Sequence, residues 1–321
     1  MRYPDFPVLI TQPMMPLIQE GIESQFPFAR LNEQTDRAGF LAKDGARFKG
    51  VVTGQAAPSN DALFASLPNL KIVSSFGVGY DLVDAKAANA RGIVVTNTPD
   101  VLTDEVADLA MGLLISTVRR LPQADKFLRK GLWLKSNFPL TDTIRGKTMG
   151  ILGLGRIGKA IATRAEAFGL KIVYHGRSQQ SDVSYPFYAS LVDMAKAVDI
   201  LMVIAPGGAS TRRIVDRAVM EALGPKGTLI NVARGTLVDE PVMVEMLTSG
   251  ALGAAGLDVF EDEPKVPEAL FALENVVLLP HVGSASVHTR NLMGQLVVDN
   301  VIALAEGRAP LTPVPETPWP L

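Results

Sequence analysis

Thr148-Met149-Gly150-Ile151-Leu152-Gly153-Leu154-Gly155-Arg156-Ile157-Gly158 runs from an apolar strand pattern straight into a glycine turn. Arg156 to Phe168 follows helical spacing, Gly169 closes it, and Lys171-Ile172-Val173-Tyr174 reads as a second strand. The spacing GxGxxG is weak by itself in a chain with 28 glycines. Placed between a strand and a helix, it becomes the βαβ unit that cradles a dinucleotide. The first glycine permits the tight turn, the second lets backbone approach a pyrophosphate, and the third lets helix and strand pack closely. Main-chain N–H groups at the helix start then face the phosphates.

The same rhythm extends in both directions. Short apolar runs at 8–10, 50–53, 71–74 and 93–96 precede the glycine turn, with helix-like stretches at 17–26, 59–66 and 82–90 between them. After it come apolar runs at 200–204, 228–231, 254–259 and 276–279. Continuous apolar strands alternating with helices predict parallel sheets covered on both faces. Thr103-Asp104-Glu105 opens a long helix, Val106 to Val118, apolar around much of its circumference and ending in Arg119-Arg120. Such a helix is buried between domains or subunits, or is an ordinary core helix. The Pro-rich tail from Pro310 to Pro318 reads as extended.

Composition narrows the partners. The chain has 321 residues, 47% hydrophobic, enough for two domains with cores of their own. A net charge of −2 gives no basic excess for nucleic acid or a membrane surface, which leaves small molecules as the expected ligands. There is no cysteine, so disulfides, thiolate metal sites and a cysteine nucleophile are excluded, and no metal site is expected. The first residues hold prolines and an acid where a secretory signal needs an apolar run. No stretch approaches the roughly 20 apolar residues of a membrane span. A soluble, cytoplasmic protein is the expectation.

The end of the second strand reports on the cofactor. An NAD site usually has Asp or Glu about 20 residues past the glycines, for the ribose hydroxyls. Here the sequence is His175-Gly176-Arg177-Ser178, and the nearest acid is Asp182. Arg177 offers a planar fork and Ser178 a hydroxyl, both suited to a 2′-phosphate. Bonds to a charged group are worth about 1.5–3 kcal/mol, so the pair favours NADP over NAD by about ten- to a hundredfold.

Of three histidines, His175 belongs to the cofactor loop and His288 to a surface helix start. His281 follows an apolar strand and Pro280, where open α/β sheets collect their ligands. Two other strand ends carry complementary charges: Asn231-Val232-Ala233-Arg234-Gly235 and Asp258-Val259-Phe260-Glu261-Asp262-Glu263-Pro264. Reducing a 2-oxo acid needs a proton donor, a cation for the carboxylate and polarisation of the ketone. A histidine paired with a carboxylate supplies the first, since the acid favours imidazolium. An arginine supplies the second and contributes to the third.

These runs, with Ser75-Phe76-Gly77-Val78-Gly79-Tyr80-Asp81, Asn97-Thr98-Pro99-Asp100-Val101-Leu102-Thr103 and Pro280-His281-Val282-Gly283-Ser284, occur in order over about residues 48 to 300. In them the chain resembles the D-isomer-specific 2-hydroxyacid dehydrogenases, and among those the NADPH-dependent glyoxylate/hydroxypyruvate reductases. The resemblance implies two doubly wound parallel-sheet α/β domains, a Rossmann cofactor domain inserted in a flavodoxin-like substrate domain. Residues 1–98 and 288–321 would form the substrate domain, and 99–287 the dinucleotide-binding and dimerisation domain. Arg234 would hold the substrate carboxylate and ketone, His281 would donate the proton, and Glu263 would orient and charge that histidine. Val78 and Gly79 would offer main-chain N–H groups to the carboxylate. Asp258 would lie beside the nicotinamide amide, with Pro206, Val232, Ala233, Arg234, His281 and Gly283 also against the cofactor. A homodimer joined through the cofactor domains would give the helix Val106–Val118 its partner and bring Trp133 toward the neighbour's substrate site. Ser284 stands where threonine is commoner in the family.

Two other readings compete with a glyoxylate/hydroxypyruvate reductase. One is a reductase for another, bulkier 2-oxo acid. The other is a non-catalytic, dinucleotide-sensing corepressor-like protein. A formate dehydrogenase would carry glutamine where Glu263 stands, and a phosphoglycerate dehydrogenase often has a further regulatory domain for which no residues remain.

Overall fold

The computed structural model describes residues 1–54 and 56–320, and the chain divides into two compact units. One unit comprises Met1–Leu102 with Ser286–Leu321, the other Thr103–Ala285. The divisions differ by a few residues from 98/99 and 287/288 because two helix starts fall there. Thr103 begins a 17-residue helix, and Ser286 caps the helix Val287–Ala305 by accepting the Thr289 N–H.

The first unit is built on β1 (Val8–Ile10), β2 (Phe28–Arg30), β3 (Gly50–Thr53), β4 (Ile72–Ser75) and β5 (Val94–Thr96). All pair in parallel, in the order β2-β1-β3-β4-β5, the flavodoxin-like arrangement. The valines and isoleucines of β1, β3, β4 and β5 are fully buried, as strands covered on both faces must be. The edge strand β2 is only half-buried and three residues long, and Phe-Ala-Arg carries no periodic apolar signal, so sequence patterning does not find it. The helix Val287–Ala305 brings Val297, Val298 and Val301 into this core beside Ile18 and Ile22. The tail adds to it: Val314 is buried, and Thr317 Oγ1 accepts the Val95 N–H at 2.9 Å.

The second unit holds β6 (Thr148–Leu152), β7 (Lys171–His175), β8 (Ile200–Val203), β9 (Thr228–Asn231), β10 (Ala254–Leu257) and β11 (Val276–Leu278). They form one parallel sheet in the order β11-β10-β9-β8-β6-β7. The chain reverses its direction of travel across the sheet between β6 and β8, the switch point at which such sheets bind ligands. Beyond β7, Tyr174 makes a single parallel bridge to Phe187, the remnant of one more strand.

The helix Thr103–Arg119 is a core helix of this unit. Its buried face, including Leu113, Leu114 and Thr117, lies on the sheet, and Gly256 in β10 allows the close approach. A Cβ there would stand 2.5 Å from Thr117 Oγ1. Arg164 on the helix Arg156–Ala167 ties the two helices by reaching Asp104 and Asp108.

Candidate active site

The glycine turn sits at the carboxyl end of β6. Gly153 has φ +98°, and a Cβ on it would stand 2.7 Å from the backbone of Ala205. Only glycine fits there. A Cβ on Gly158 would meet the Gly153 carbonyl oxygen at 2.3 Å, so this glycine seats the helix Arg156–Ala167 on the turn. Gly155 differs: a Cβ there would meet no protein atom within 4 Å. It caps the helix with no side-chain partner and leaves open space before the first-turn N–H groups. That space suits a pyrophosphate, so the turn passes the test of fit for a dinucleotide.

At the end of β7, the His175 ring contacts the Tyr188 carbonyl through Nδ1 at 2.8 Å, while its own carbonyl accepts the Gly153 N–H at 2.9 Å. Arg177 and Ser178 follow on the exposed part of the loop. Asp182 is bonded to Lys159 Nζ at 2.6 Å, and that bond holds its carboxyl below the usual range. Pro206 is exposed just past β8, on a loop braced by Thr211 Oγ1 donating to its carbonyl.

Three more strand ends carry the charged groups. After β9, buried Asn231 folds the chain back: its amide donates to the Arg234 carbonyl at 2.9 Å and accepts the Ala233 N–H at 3.1 Å. Val232 and Ala233 are buried by this turn and Arg234 is half-buried beyond it. The next residue is Gly235, where a Cβ would lie 1.9 Å from the carbonyl carbon of Phe260. This backbone-to-backbone approach presses the arginine turn onto the segment that carries Glu263.

After β10, Asp258 is buried and accepts the N–H groups of Val282 at 2.7 Å and Gly283 at 2.8 Å. Its carbonyl accepts the His281 N–H at 2.8 Å. Burial pushes its carboxyl up against the pull of those N–H groups. Asp258 thus shapes the loop after β11, where His281 has the left-handed φ of +53°. A non-glycine residue is held there only when its surroundings determine it, at a cost of about 1–3 kcal/mol.

His281 Nδ1 lies 2.7 Å from Glu263 Oε2, and Glu263 Oε1 accepts the Phe260 N–H at 3.1 Å. Burial works to raise the Glu263 carboxyl. The bond to His281, the charges of His281 and Arg234, and the Phe260 N–H outweigh it, and the group lies below its ordinary range. Arg234, Glu263 and His281, from three strand ends, thus form one charged cluster. His288 is exposed at the start of the helix Val287–Ala305, as its sequence context suggests.

In the first unit, the turn after β4 carries Val78 and Gly79. The Gly77 N–H donates to Thr98 Oγ1 at 3.1 Å, and Asn97 Nδ2 donates to the Val78 carbonyl at 2.8 Å. Sequence reading gives Asn231 and Gly235 only as parts of a motif, and gives Gln180 no role at all. Gln180 Nε2 donates to the Leu154 carbonyl inside the glycine turn at 2.8 Å. A glycine directly after a charged residue is the one signal that points to Gly235; a loop glutamine offers none.

The family described as D-isomer specific 2-hydroxyacid dehydrogenase, NAD binding domain, matches residues 111–283. A glyoxylate/hydroxypyruvate reductase A of Arabidopsis thaliana is 50% identical over 96% of this chain and 98% of its own. A hydroxyphenylpyruvate reductase of Plectranthus scutellarioides is 49% identical with the same coverage. The crystal structure of an NADPH-dependent glyoxylate/hydroxypyruvate reductase from Sinorhizobium meliloti, in complex with NADP and malonate, superimposes with a TM-score of 0.91. It shares 48% identity over 98% of both chains.

Proposed function

The chain belongs to the D-isomer specific 2-hydroxyacid dehydrogenases, and on that premise we propose that it reduces small 2-oxo acids, glyoxylate and hydroxypyruvate, with NADPH. The observation that carries the reading is the 2.7 Å pair of His281 and Glu263, with the charge of Arg234 acting on the same carboxylate. A sensor protein needs no proton donor, so this pair favours the enzyme.

The glycine turn would hold the pyrophosphate, with Arg177 and Ser178 on the 2′-phosphate and His175 beside them. Pro206, Val232, Ala233, Asp258 and Gly283, at four strand ends, would line the remainder. When bound, the nicotinamide supplies the hydride for the carbonyl carbon. Arg234 binds the substrate carboxylate and polarises the ketone. Glu263 holds Nδ1–H of the imidazolium, which leaves Nε2–H to protonate the carbonyl oxygen as its π pair moves there. Phe260 N–H keeps the carboxylate turned toward the ring. Val78 and Gly79 are proposed as main-chain donors to the carboxylate.

NADPH is preferred over NADH because no acid stands at the ribose position, and the Sinorhizobium relative was solved with NADP. A homodimer is supported by the apolar residues Leu121, Leu128, Trp133, Leu134 and Leu140, exposed along one stretch of the second unit. Among the described residues no helix is long and apolar enough to cross a membrane. The lack of cysteine suits a cytoplasmic enzyme.

A second reading, a bulkier aromatic 2-oxo acid, is favoured by the near-equal identity of the Plectranthus relative. NADPH oxidation with glyoxylate, hydroxypyruvate and hydroxyphenylpyruvate separates the two. The highest kcat/KM is expected with one of the small acids. Preference for the aromatic acid would move the assignment to the second reading, and no turnover with any of them would refute both.

A further inference from the structure

We propose that Gln180 is a positioning residue that sets the preference for NADPH by fastening the loop after β7 to the glycine turn. The inference rests on the reading that Arg177 and Ser178 receive a 2′-phosphate.

Gln180 has two anchors. Its main-chain N–H donates to the hydroxyl of Tyr174 at 2.7 Å, and Tyr174 is fully buried in β7 with its ring 5.3 Å from that of Phe187. Its side-chain Nε2 donates to the Leu154 carbonyl at 2.8 Å. Leu154 stands between the two glycines that shape the pyrophosphate cradle. One residue therefore joins the phosphate loop to the sheet and to the turn that holds the other phosphates.

The opposite end of the loop is fixed as well. His175 is held by its ring contact to Tyr188 and by its carbonyl on Gly153 N–H. Downstream, the Asp182–Lys159 pair fastens the chain to the helix that follows the glycine turn. Only Gly176, Arg177, Ser178 and Gln179 lie between the two posts. A loop this short, fixed at both ends, loses little freedom when Arg177 and Ser178 close on an anion. Released at Gln180, the same residues must be ordered by the ligand. That penalty falls on the cofactor that uses them, NADPH, and leaves NADH nearly untouched.

The test uses the full-length protein and direct titration of NADPH and NADH, with 2′-phosphoadenosine as a competitor. Gln180→Met keeps the length and removes the donor; Tyr174→Phe removes the other anchor. Each is expected to weaken NADPH by roughly three- to tenfold, the range of one hydrogen bond. NADH affinity should stay near that of the parent, and 2′-phosphoadenosine should weaken with NADPH. Thermal melting shows which variants are folded, and Gln180→Met, in a surface loop, is the one on which the outcome turns. Equal losses for both cofactors would make Gln180 a general support of the turn and overturn the proposal.

Arg177→Ala separates this failure from failure of the underlying reading. If it weakens NADPH selectively while Gln180→Met does not, the phosphate site stands and the positioning role falls. If Arg177→Ala is not selective, both fall. In the Arg177→Ala background, Gln180→Met should cost NADPH little more, because the two act on one contact.

Discussion

At the residue scale, the chemistry depends on three side chains that do different work on one substrate. His281→Ala is expected to lower kcat by roughly 10²–10⁴, the usual contribution of a positioned acid, while NADPH still binds. Retained turnover would remove His281 as donor. Arg234→Ala should cost more in kcat/KM than in cofactor affinity, because one cation serves both carboxylate and ketone; a near-normal kcat/KM would take it out of the site. The sign for Glu263 follows from its depressed value: it stays charged through the ordinary carboxylate range, so its protonation should not limit the rate there. Glu263→Gln keeps a partner for Nδ1 but removes the carboxylate charge, so kcat should fall while NADPH still binds; an unchanged kcat would show that the charge is not needed.

At the scale of elements, the turns matter more than the strands they follow. The strand patterns and the glycine turn are legible in the sequence because their signal is local: apolar runs of the right length, then glycine. The remnant strand at Phe187 and the edge strand β2 are not, because pairing with a neighbour defines them rather than their own pattern. Charged strand ends can be read as a group. The contacts that aim them cannot, since Gly235 acts on Phe260 and Asp258 on Gly283, residues distant in sequence. Gly235→Ala tests this directly. Its Cβ would collide with backbone, which cannot yield as a flexible side chain does, so a loss of about 1–3 kcal/mol is expected from chemical denaturation. The loops bearing Arg234 and Glu263 should part as well, so kcat should fall even where the variant is fully folded. A variant with parent stability and activity would show that the two loops are not in register through this contact.

On the scale of the whole molecule, each unit already closes its own core, so what remains apolar on the surface calls for a partner outside it. The helix Thr103–Arg119, apolar on most sides, is satisfied within the second unit. The segment after it is not. The helix Leu121–Arg129 buries no residue, Trp133 is 66% exposed and Leu134 93% exposed. Water around such side chains costs about 25 cal/mol per Å² of apolar area, and the homodimer proposed above would cover them with a second copy. The wild-type chain is therefore expected to sediment as a dimer at micromolar concentration. Replacing Trp133 by Ser and Leu134 by Asp should shift it toward monomer, without unfolding a core to which neither residue contributes. Sedimentation velocity and melting, run side by side, check this. A monomeric parent would remove the dimer, whereas a variant that remains dimeric would place the interface elsewhere on the second unit.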